Sequence, residues 1–354
     1  MGTLRELAQS LGLSITTVSR ALDGYPEVAQ ATRARVRAAA EAIDYRPNAA
    51  ARRLRRGATE IITLVLPAEP GHFDEPLYIE LLAAIGDRLA PEGYDLSLLA
   101  APPGPEELKT YRRIVEGRRA DAVIVVRTRR EDERIRYLAG TGFPYVVLGR
   151  TDVPVDYAFV DGDGEQAFVE AAERLLGLGH RRIAHVAAPG FYTFAHLRRR
   201  GYERALAAAG CLPAIAEGAP TEEGGYLASG HLLDAAERPT ALLCATDRMA
   251  FGALRAARER GLVVGRDLSV VGHDNVSAAA YADPPLTTME LAIAATGRRL
   301  AEMALLRLGG TPASELSEIW PVQQIERQSA GPAPVARPAS MSRDGRPARR
   351  QTRN

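Results

Sequence analysis

From residue 61 onward the sequence alternates short apolar runs with longer helical stretches, and this alternation limits the possible folds more than any other feature. Strand-helix alternation predicts an α/β body with parallel, doubly wound sheets, and its length suits two lobes better than one. A ligand crevice is then expected at the carboxyl ends of the strands. The strands are predicted at Ile61–Leu66, Tyr94–Leu99, Ala122–Val126, Tyr145–Leu148, Phe159–Val160, Ile183–Ala187, Ala241–Ala245 and Ser269–Gly272, with helices including Tyr78–Leu89, Glu165–Leu178 and Leu197–Ala209.

The first residues have a different pattern, that of two short helices joined by a tight turn. Thr3 and Glu6 have capping-box spacing, and Gly12 is the residue best able to end the first helix in a left-handed conformation. Ser14 is placed to cap a second helix. The exposed face of this helix is short, polar and basic, as reading of the DNA major groove requires. Spacing alone does not separate this interpretation from an ordinary helical hairpin. The residues predicted to contact DNA are Ser14, Ile15, Thr16, Thr17, Ser19 and Arg20.

The next segments support a DNA-binding head. A third helix is predicted over Thr32–Tyr45, with Val36, Ala39, Ala40 and Ile43 facing inward. A fourth is predicted over Pro47–Arg56, which has too few apolar positions to anchor itself to a core and ends at Gly57.

The order and spacing of these residues resemble the head and hinge of LacI/GalR-type bacterial repressors. The resemblance rests on Leu13 to Gly24, Glu27-Val28, Thr32-Arg33 and Tyr45 to Leu54, and it continues through the body in stretches such as Gly179 to Ile183 and Val271 to Asn275. It implies a hinge helix that folds when two subunits bind an operator, with Leu54 inserted into a minor-groove step. Asn48, Arg52 and Arg55 join Leu54 as expected hinge contacts with DNA.

The resemblance also implies a domain plan: an α/β chain with an N-terminal helix-turn-helix head and a two-lobed body similar to periplasmic sugar-binding proteins. Crossings between lobes are expected near 149–158, 283–290 and 316–320, and a last strand over Trp320–Ile325 is expected to return to the second lobe. The predicted domains are the head at 1–46, the hinge and linker at 47–59, the N-terminal lobe at 60–158 with 290–316, the C-terminal lobe at 159–289 with 317–329, and a disordered Arg- and Pro-rich tail at 330–354.

Composition excludes several other protein classes. The net charge is only +1, so the chain is not a uniformly basic nucleic-acid binder, although its first 60 and last 24 residues are both basic. Cys211 and Cys244 are the only cysteines and lack metal-ligand spacing, so neither a disulfide framework nor a zinc site is expected. No signal peptide and no apolar run near membrane-spanning length is present. A cytoplasmic protein without a membrane partner is therefore expected.

No arrangement typical of catalysis stands out. The segment Gly162 to Ala167 matches a dinucleotide fingerprint, but Asp161, Asp163 and Glu165 place negative charge where a pyrophosphate must lie. The six histidines lack HExxH or HxH spacing, and no GxSxG elbow occurs. We therefore expect a binding protein and switch, not an enzyme, with no metal and no cofactor.

By the family resemblance, Asp161, Arg198 and Asp274 point into the crevice, Asp247 lies beside it, and Tyr78, Tyr192 or Phe194 offer stacking faces. Carboxylates, a guanidinium and aromatic rings suit a hydroxyl-rich sugar. Pro220 replaces the aromatic platform of purine-binding family members, which argues against a purine corepressor. The stretch Phe194 to Tyr202 and the phrase Gly24 to Val28 look most like regulators of α-glucoside use.

The predicted function is a homodimeric repressor of a carbohydrate-utilisation operon, which binds double-stranded operator DNA and a small-molecule effector. Two alternatives remain: a solute-binding protein of a sugar transport system, and a family member that uses a nucleobase-type corepressor. The first needs an export signal and no head.

Overall fold

The computed structural model describes residues 3–45, 58–67 and 76–334. The chain divides into two compact units, and the unit that contains the head also includes Arg112–Asp121. The head has three helices, and its core is formed by small and aliphatic side chains from all of them. The helices are α1 (Leu4–Leu11), α2 (Ile15–Leu22) and α3 (Gln30–Ala42), and the buried core residues are Leu7, Ala8, Val18, Ala21, Val28, Val36 and Ala40.

The turn between α1 and α2 has the predicted local chemistry. The Thr3 hydroxyl accepts from the Glu6 amide at 3.2 Å, and the Glu6 carboxylate accepts from the Thr3 amide at 2.8 Å, which completes the capping box. Gly12 has φ 62°, a conformation that side chains with a Cβ adopt reluctantly. Arg35 of α3 donates to the Leu11 carbonyl at 3.1 Å and so ties the third helix to the turn.

The third helix differs from its prediction at both ends. It begins at Gln30 without a side-chain cap and ends at Ala42, where Asp44 takes a positive φ of 47°. Ile43 lies beyond the helix and is 38% exposed, so its predicted inward position is wrong.

The body contains two separate parallel sheets flanked by helices, as the alternating pattern predicts. The six-stranded sheet has the order β11-β5-β4-β3-β1-β2 and the four-stranded sheet the order β7-β6-β8-β9. The strands are β1 (Ile61–Pro67), β2 (Asp95–Ala101), β3 (Ala122–Val125), β4 (Tyr145–Leu148), β5 (Ala158–Gly162), β6 (Ile183–Ala187), β7 (Ala214–Glu217), β8 (Ala241–Cys244), β9 (Ser269–Val271), β10 (Thr288–Glu290), β11 (Ser317–Trp320) and β12 (Gln323–Ile325).

The helices of the body alternate with these strands. They are α4 (Pro76–Leu89), α5 (Pro105–Glu116), α6 (Glu133–Thr141), α7 (Gly164–Gly177), α8 (Thr193–Ala208), α9 (Glu222–Leu233), α10 (Asp247–Glu259) and α11 (Ile293–Leu308). Helix α11 comes late in the chain. Its buried side chains Leu300, Ala301 and Met303 nevertheless share a core with helix α4 and with strands β1 and β3 of the six-stranded sheet. This agrees with the expected return of the chain to the first lobe.

Strand pairing shows that two segments predicted to lie in the C-terminal lobe belong to the six-stranded sheet of the N-terminal lobe instead. Ser317 pairs with Phe159 in a parallel register, so β5 and β11 are both strands of the six-stranded sheet. The predicted single strand Trp320–Ile325 is instead two strands: β11 ends at Trp320, and β12 pairs antiparallel with β10. Pro321 lies between them and has no amide hydrogen to continue a ladder.

The start of the predicted tail is also ordered. The Ala333 amide donates to the Leu178 carbonyl at 2.8 Å, and the Gly331 amide donates to the Ser269 hydroxyl at 3.0 Å. Residues 330–334 therefore lie along the second lobe, and the remainder of the predicted tail lies outside the described residues.

Candidate functional site

The exposed face of α2 brings most of the predicted head residues together. Ile15 is 45% exposed, and Thr16 is exposed beside it. The Arg20 side chain is 53% exposed, and its guanidinium lies 3.9 Å from the Glu27 carboxylate. At that distance and exposure the ion pair is weak, and the guanidinium can turn toward another acceptor.

Two predicted head residues act within α2 itself. The Ser14 hydroxyl accepts from the Thr17 amide at 3.0 Å and lies 2.8 Å from the Thr17 hydroxyl. The pair caps the helix and fixes the orientation of its first turn. The predicted hinge contacts Asn48, Arg52, Leu54 and Arg55 lie outside the described residues.

In the body, a cavity of about 150 Å³ lies at the carboxyl ends of strands from both sheets. Its apolar wall comes largely from the first lobe and includes Leu77, Leu148, Leu291 and Ile293. Its polar residues come from both lobes and are mostly charged. Such a crevice, apolar with a few convergent polar groups, is the usual form of a small-molecule site.

Five of the seven predicted effector residues line this cavity: Tyr78, Asp161, Phe194, Arg198 and Asp274. The other two lie behind it. Tyr192 is buried and stacks on Phe194, with ring centroids 5.5 Å apart. Asp247 is fully buried, and its carboxylate accepts from the Thr288 hydroxyl at 2.5 Å and the Val276 amide at 2.9 Å. Both of these residues hold the lining in place without forming part of it.

Arg198 and Asp274 form the polar centre of the second lobe's wall. The Arg198 guanidinium lies 3.8 Å from the Asp274 carboxylate, donates to the Ala245 carbonyl at 2.5 Å, and lies 4.9 Å from the centre of the Phe194 ring. The imidazole Nδ1 of His273 lies 2.9 Å from Asp274 Oδ1, the same carboxylate oxygen that Arg198 approaches. Asp274 itself has φ 116°, a strained conformation that this network maintains.

Burial changes the protonation of this network. It raises the pKa of Asp274 to about 6, although the positive charges of Arg198 and Arg127 favour the carboxylate. Burial lowers the pKa of His273 well below its usual value, and Arg198 adds to this effect, so the imidazole is neutral. A neutral His273 can donate its Nδ1 proton to the Asp274 carboxylate.

Three arginines of the lining were not predicted from the sequence. Arg127 and Arg150 follow β3 and β4, and Arg248 lies in the first turn of α10, just after β8. Arg150 donates to Asp161 at 2.6 Å, and Arg248 donates to Glu222 at 2.7 and 2.8 Å. Their position after a strand is the only signal in the sequence, because residues just beyond the carboxyl ends of parallel strands meet at one edge. It does not show whether a side chain faces the crevice or solvent.

Other kinds of site find no support in the described part of the chain. No group of three His, Cys, Asp or Glu side chains there is placed to hold a metal ion, and none of its helices is long and apolar enough to cross a membrane. The acids of the dinucleotide-like segment have structural partners: Asp163 caps α7 by accepting from the Gln166 amide, and Glu165 pairs with Arg204 at 2.9 Å.

Comparison with known proteins gives consistent matches along the chain. Residues 3–48 match the bacterial regulatory proteins of the lacI family, and residues 172–330 match the periplasmic binding protein-like domain. The HTH-type transcriptional regulator AglR of Rhizobium meliloti (strain 1021) is 40% identical over 345 residues, which cover 95% of this chain and 96% of that protein.

Two solved structures resemble the whole fold. The lac repressor dimer bound to operator and the anti-inducer ONPF superposes with a TM-score of 0.82 at 26% identity, covering 93% of this chain and 99% of that one. The complex of the transcriptional regulator CelR with cellobiose gives a TM-score of 0.72 at 30% identity, covering 93% of this chain and 100% of that one. Since similarity to these regulators extends through head and body alike, the chain belongs to the lacI family of bacterial regulatory proteins and is a DNA-binding transcriptional regulator.

Proposed function

We propose that this regulator is a homodimeric, cytoplasmic repressor without enzymatic activity, whose affinity for operator DNA is controlled by a small sugar bound between the two lobes of the body. The observation that carries the proposal is the composition of the cleft. Asp274, Arg198, Phe194 and Tyr78 all line the cavity, and the Arg198 guanidinium lies over the Phe194 ring.

This combination suits a polyhydroxylated ring. A carboxylate accepts hydrogen bonds from hydroxyl groups, a guanidinium donates to them, and an aromatic face packs against the CH groups of a sugar. Among the described residues, Nε of Arg198 and Nη2 of Arg150 have no hydrogen-bond partner. A buried donor without an acceptor is unfavourable by about 1–3 kcal/mol, so a ligand that brings hydroxyl oxygens would relieve this cost.

A nucleobase effector is the less favoured alternative. A planar base needs an extended aromatic surface and a set of neutral donors and acceptors along its edge. Pro220 lines the cleft and offers no aromatic ring, and the charged groups nearby are mainly guanidinium groups and carboxylates. The similarity to a regulator in complex with cellobiose supports a sugar, and an α-glucoside is the subclass that we propose.

For the head, we infer that α2 reads the operator through Ser14, Ile15, Thr16, Thr17, Ser19 and Arg20. Arg20 can donate a bidentate hydrogen bond to a guanine edge, and Ile15 and Thr16 offer methyl groups for contact with thymine.

The hinge residues Asn48, Arg52, Leu54 and Arg55 are proposed as contacts near the operator centre. Leu54→Ala is then expected to reduce operator bending while leaving sugar affinity in the absence of DNA unchanged.

The test of the proposed effector class is a thermal-shift panel on the purified full chain with maltose, trehalose, melibiose, raffinose, cellobiose, adenine, guanine and hypoxanthine. A ligand at 100 times its Kd should add about 2.7 kcal/mol to the stability of the folded state. Fluorescence anisotropy with operator DNA then shows whether the same compound changes DNA affinity. Stabilisation by a nucleobase and by none of the sugars would overturn the proposal.

A further inference from the structure

The turn Gly117–Arg119, which we call the arginine turn, follows α5 and holds a side chain in an unfavourable backbone conformation. The Arg118 amide donates to the Val115 carbonyl at 3.3 Å, and the Arg119 amide donates to the Ile114 carbonyl at 2.9 Å. These two bonds form a Schellman motif, whose left-handed position is usually glycine. Here that position is Arg118, with φ 46°. A residue with a Cβ is strained in this conformation, and such positions persist where the side chain has a use.

The next position also departs from the usual pattern. In a Schellman motif it often carries an apolar side chain that packs back on the helix, but here it is Arg119, and both arginines are exposed. Within the described ranges, neither of the two guanidinium groups forms an ion pair or a hydrogen bond. The negative end of the α5 dipole does not require them, because Arg113 in the last turn already places a positive charge there.

The segment that leads into β1 is held close to this turn by Asp121. The Asp121 carboxylate accepts from the Thr59 amide at 2.7 Å, the Thr59 hydroxyl at 3.0 Å and the Glu60 amide at 2.8 Å. Thr59 is the last residue of the predicted hinge and linker, so Asp121 fixes the place at which the linker joins β1. Arg119 is two residues from Asp121, which is at most about 7 Å even along an extended chain.

The surface around the arginine turn is positively charged. Arg112–Asp121 belongs to the compact unit that contains the head. This segment has four exposed arginines against two acids, and one of those acids, Asp121, is engaged by the linker. A positive surface beside the linker of a DNA-binding head attracts the phosphate groups of DNA.

We propose that Arg118 and Arg119 bind phosphate groups of the operator, so that the regulator contacts DNA through the arginine turn as well as through α2. The planar guanidinium can donate two parallel hydrogen bonds to a phosphate. Such a contact reads no base, so it adds affinity for every operator sequence and makes binding more sensitive to salt. The proposal rests on operator binding by this regulator and is independent of which effector the cleft takes.

The first measurement is the salt dependence of operator affinity in Arg118→Gln/Arg119→Gln. The probe is a DNA duplex with the sequence that the unaltered full chain selects from a random library, and anisotropy titrations cover about 50 to 200 mM potassium chloride. Each lost phosphate contact should reduce the slope of log K against log salt by about 0.9, which is about 1.8 to 3.6 for a homodimer. The reduction should be the same on operators substituted at single base pairs.

The matched control is Arg136→Gln/Arg238→Gln, which removes the same charge from two other exposed positions. Arg136 pairs with the exposed Glu131 carboxylate, and Arg238 follows α9. The salt slope of this control should equal that of the unaltered chain. A second variant, Arg118→Gly, tests the strained position without endangering the fold, because glycine suits a left-handed conformation. It should melt at the same or a higher temperature than the unaltered chain, yet show a smaller salt slope.

The second measurement identifies the phosphates. Methylphosphonate groups, which are neutral, replace the phosphates of the operator one position at a time. Replacement of a phosphate that Arg118 or Arg119 contacts should weaken binding of the unaltered chain but not of Arg118→Gln/Arg119→Gln.

Two results would overturn the proposal. If the salt slope of Arg118→Gln/Arg119→Gln equals that of the unaltered chain, the two arginines do not bind phosphates, and a partner other than DNA would give this result. If the affinity falls while the slope and the set of sensitive phosphates stay the same, the turn acts on the linker by packing and does not contact DNA.

Discussion

The carboxylate of Asp274 is a buried acid of the cleft that lies near two arginines, Arg198 and Arg127. It has the Arg198 guanidinium at 3.8 Å, the His273 imidazole at 2.9 Å and the positive charge of Arg127 across the cavity. These groups hold the carboxylate in one orientation while leaving it exposed enough to line the site. A residue in this position can distinguish a ligand that donates hydrogen bonds from one that does not.

We predict that Asp274→Ala keeps operator binding but loses the response to sugar. Coupling between two sites requires differential binding at each, and this substitution removes an acceptor at one of them. Sugar affinity should fall by about 2–3 kcal/mol, as for loss of a charged hydrogen-bond partner. Anisotropy titrations with operator DNA, with and without sugar, measure both quantities. A normal sugar response in a folded Asp274→Ala protein would remove this residue from the site.

At the head, we predict that Arg20→Ala costs about 1–3 kcal/mol at one operator position and little at the others. The reason is the geometry of the guanidinium, which fits the two acceptors of a guanine edge. Binding is measured against a set of operators, each substituted at a single base pair. The control is Arg37→Ala, another exposed arginine of the head, located on α3. Equal weakening on every sequence would identify Arg20 as a phosphate contact.

Single residues of the cleft were predicted unevenly from the sequence. Asp161, Arg198 and Asp274 were identified through a family pattern, and all three line the cavity. Asp247 was placed beside the cleft, and only the structure shows what it does there, because its partners Val276 and Thr288 are distant in sequence. The lining arginines were missed because a charge just after a strand looks the same in the sequence whether it faces a crevice or solvent.

At the scale of elements, the end of β9 is a crowded junction of the second lobe. A Cβ added at Gly272 would lie 2.2 Å from the Asp247 carboxylate and 3.1 Å from Leu286. The Gly272 amide donates to Thr287, and the Asp274 amide donates to Met289. Three segments therefore meet at Gly272: the start of α10, the loop that carries Asp274 and the segment leading into β10. Only glycine fits at this position.

We predict that Gly272→Ala lowers the free energy of unfolding by about 1–3 kcal/mol, the usual cost of overpacking, and weakens sugar binding by displacing Asp274. Urea unfolding and calorimetry measure the two effects. Gly177→Ala is the matched control in the same lobe, because a Cβ at Gly177 meets no atom within 4 Å and alanine favours the helix. Unchanged stability in Gly272→Ala would show that the junction relaxes freely.

The positions of the strands along the chain were predicted more accurately than the pairing of one strand with another. Runs of buried aliphatic residues marked β3, β4, β6 and β8, because the interior of a parallel sheet leaves no polar alternation. The edge strand β7 was missed, since Ala214–Glu217 is half exposed and has little hydrophobic signal. The pairing of β11 with β5 joins residues far apart in the chain, and no local pattern encodes such a contact.

At the scale of the whole body, charged groups of the two lobes interact, so stability and sugar affinity should depend on pH. Asp274 lies in the second lobe, yet the pKa of its carboxyl, raised to about 6 by burial, responds to Arg127 of the first lobe. Asp247 lies behind it, and burial together with the negative charge of Asp274 raises the pKa of Asp247 to about 7. Both acids take up protons in the folded chain at a pH where they are ionised in the unfolded chain.

We therefore predict that the stability due to Asp274 and the affinity for sugar change in opposite directions with pH. Between pH 5 and 8 the folded chain binds more protons at Asp274 than the unfolded chain does, so this residue's contribution to stability falls as the pH rises, by about 1 kcal/mol. Sugar affinity should rise over the same interval, because the ionised carboxylate is the better acceptor. Unfolding and sugar titrations at pH 5, 6, 7 and 8, compared with Asp274→Asn, report the contribution of this group together with its effect on Asp247. If the difference in stability between the two proteins is the same at every pH, Asp274 does not titrate in this range and its charge is fixed throughout.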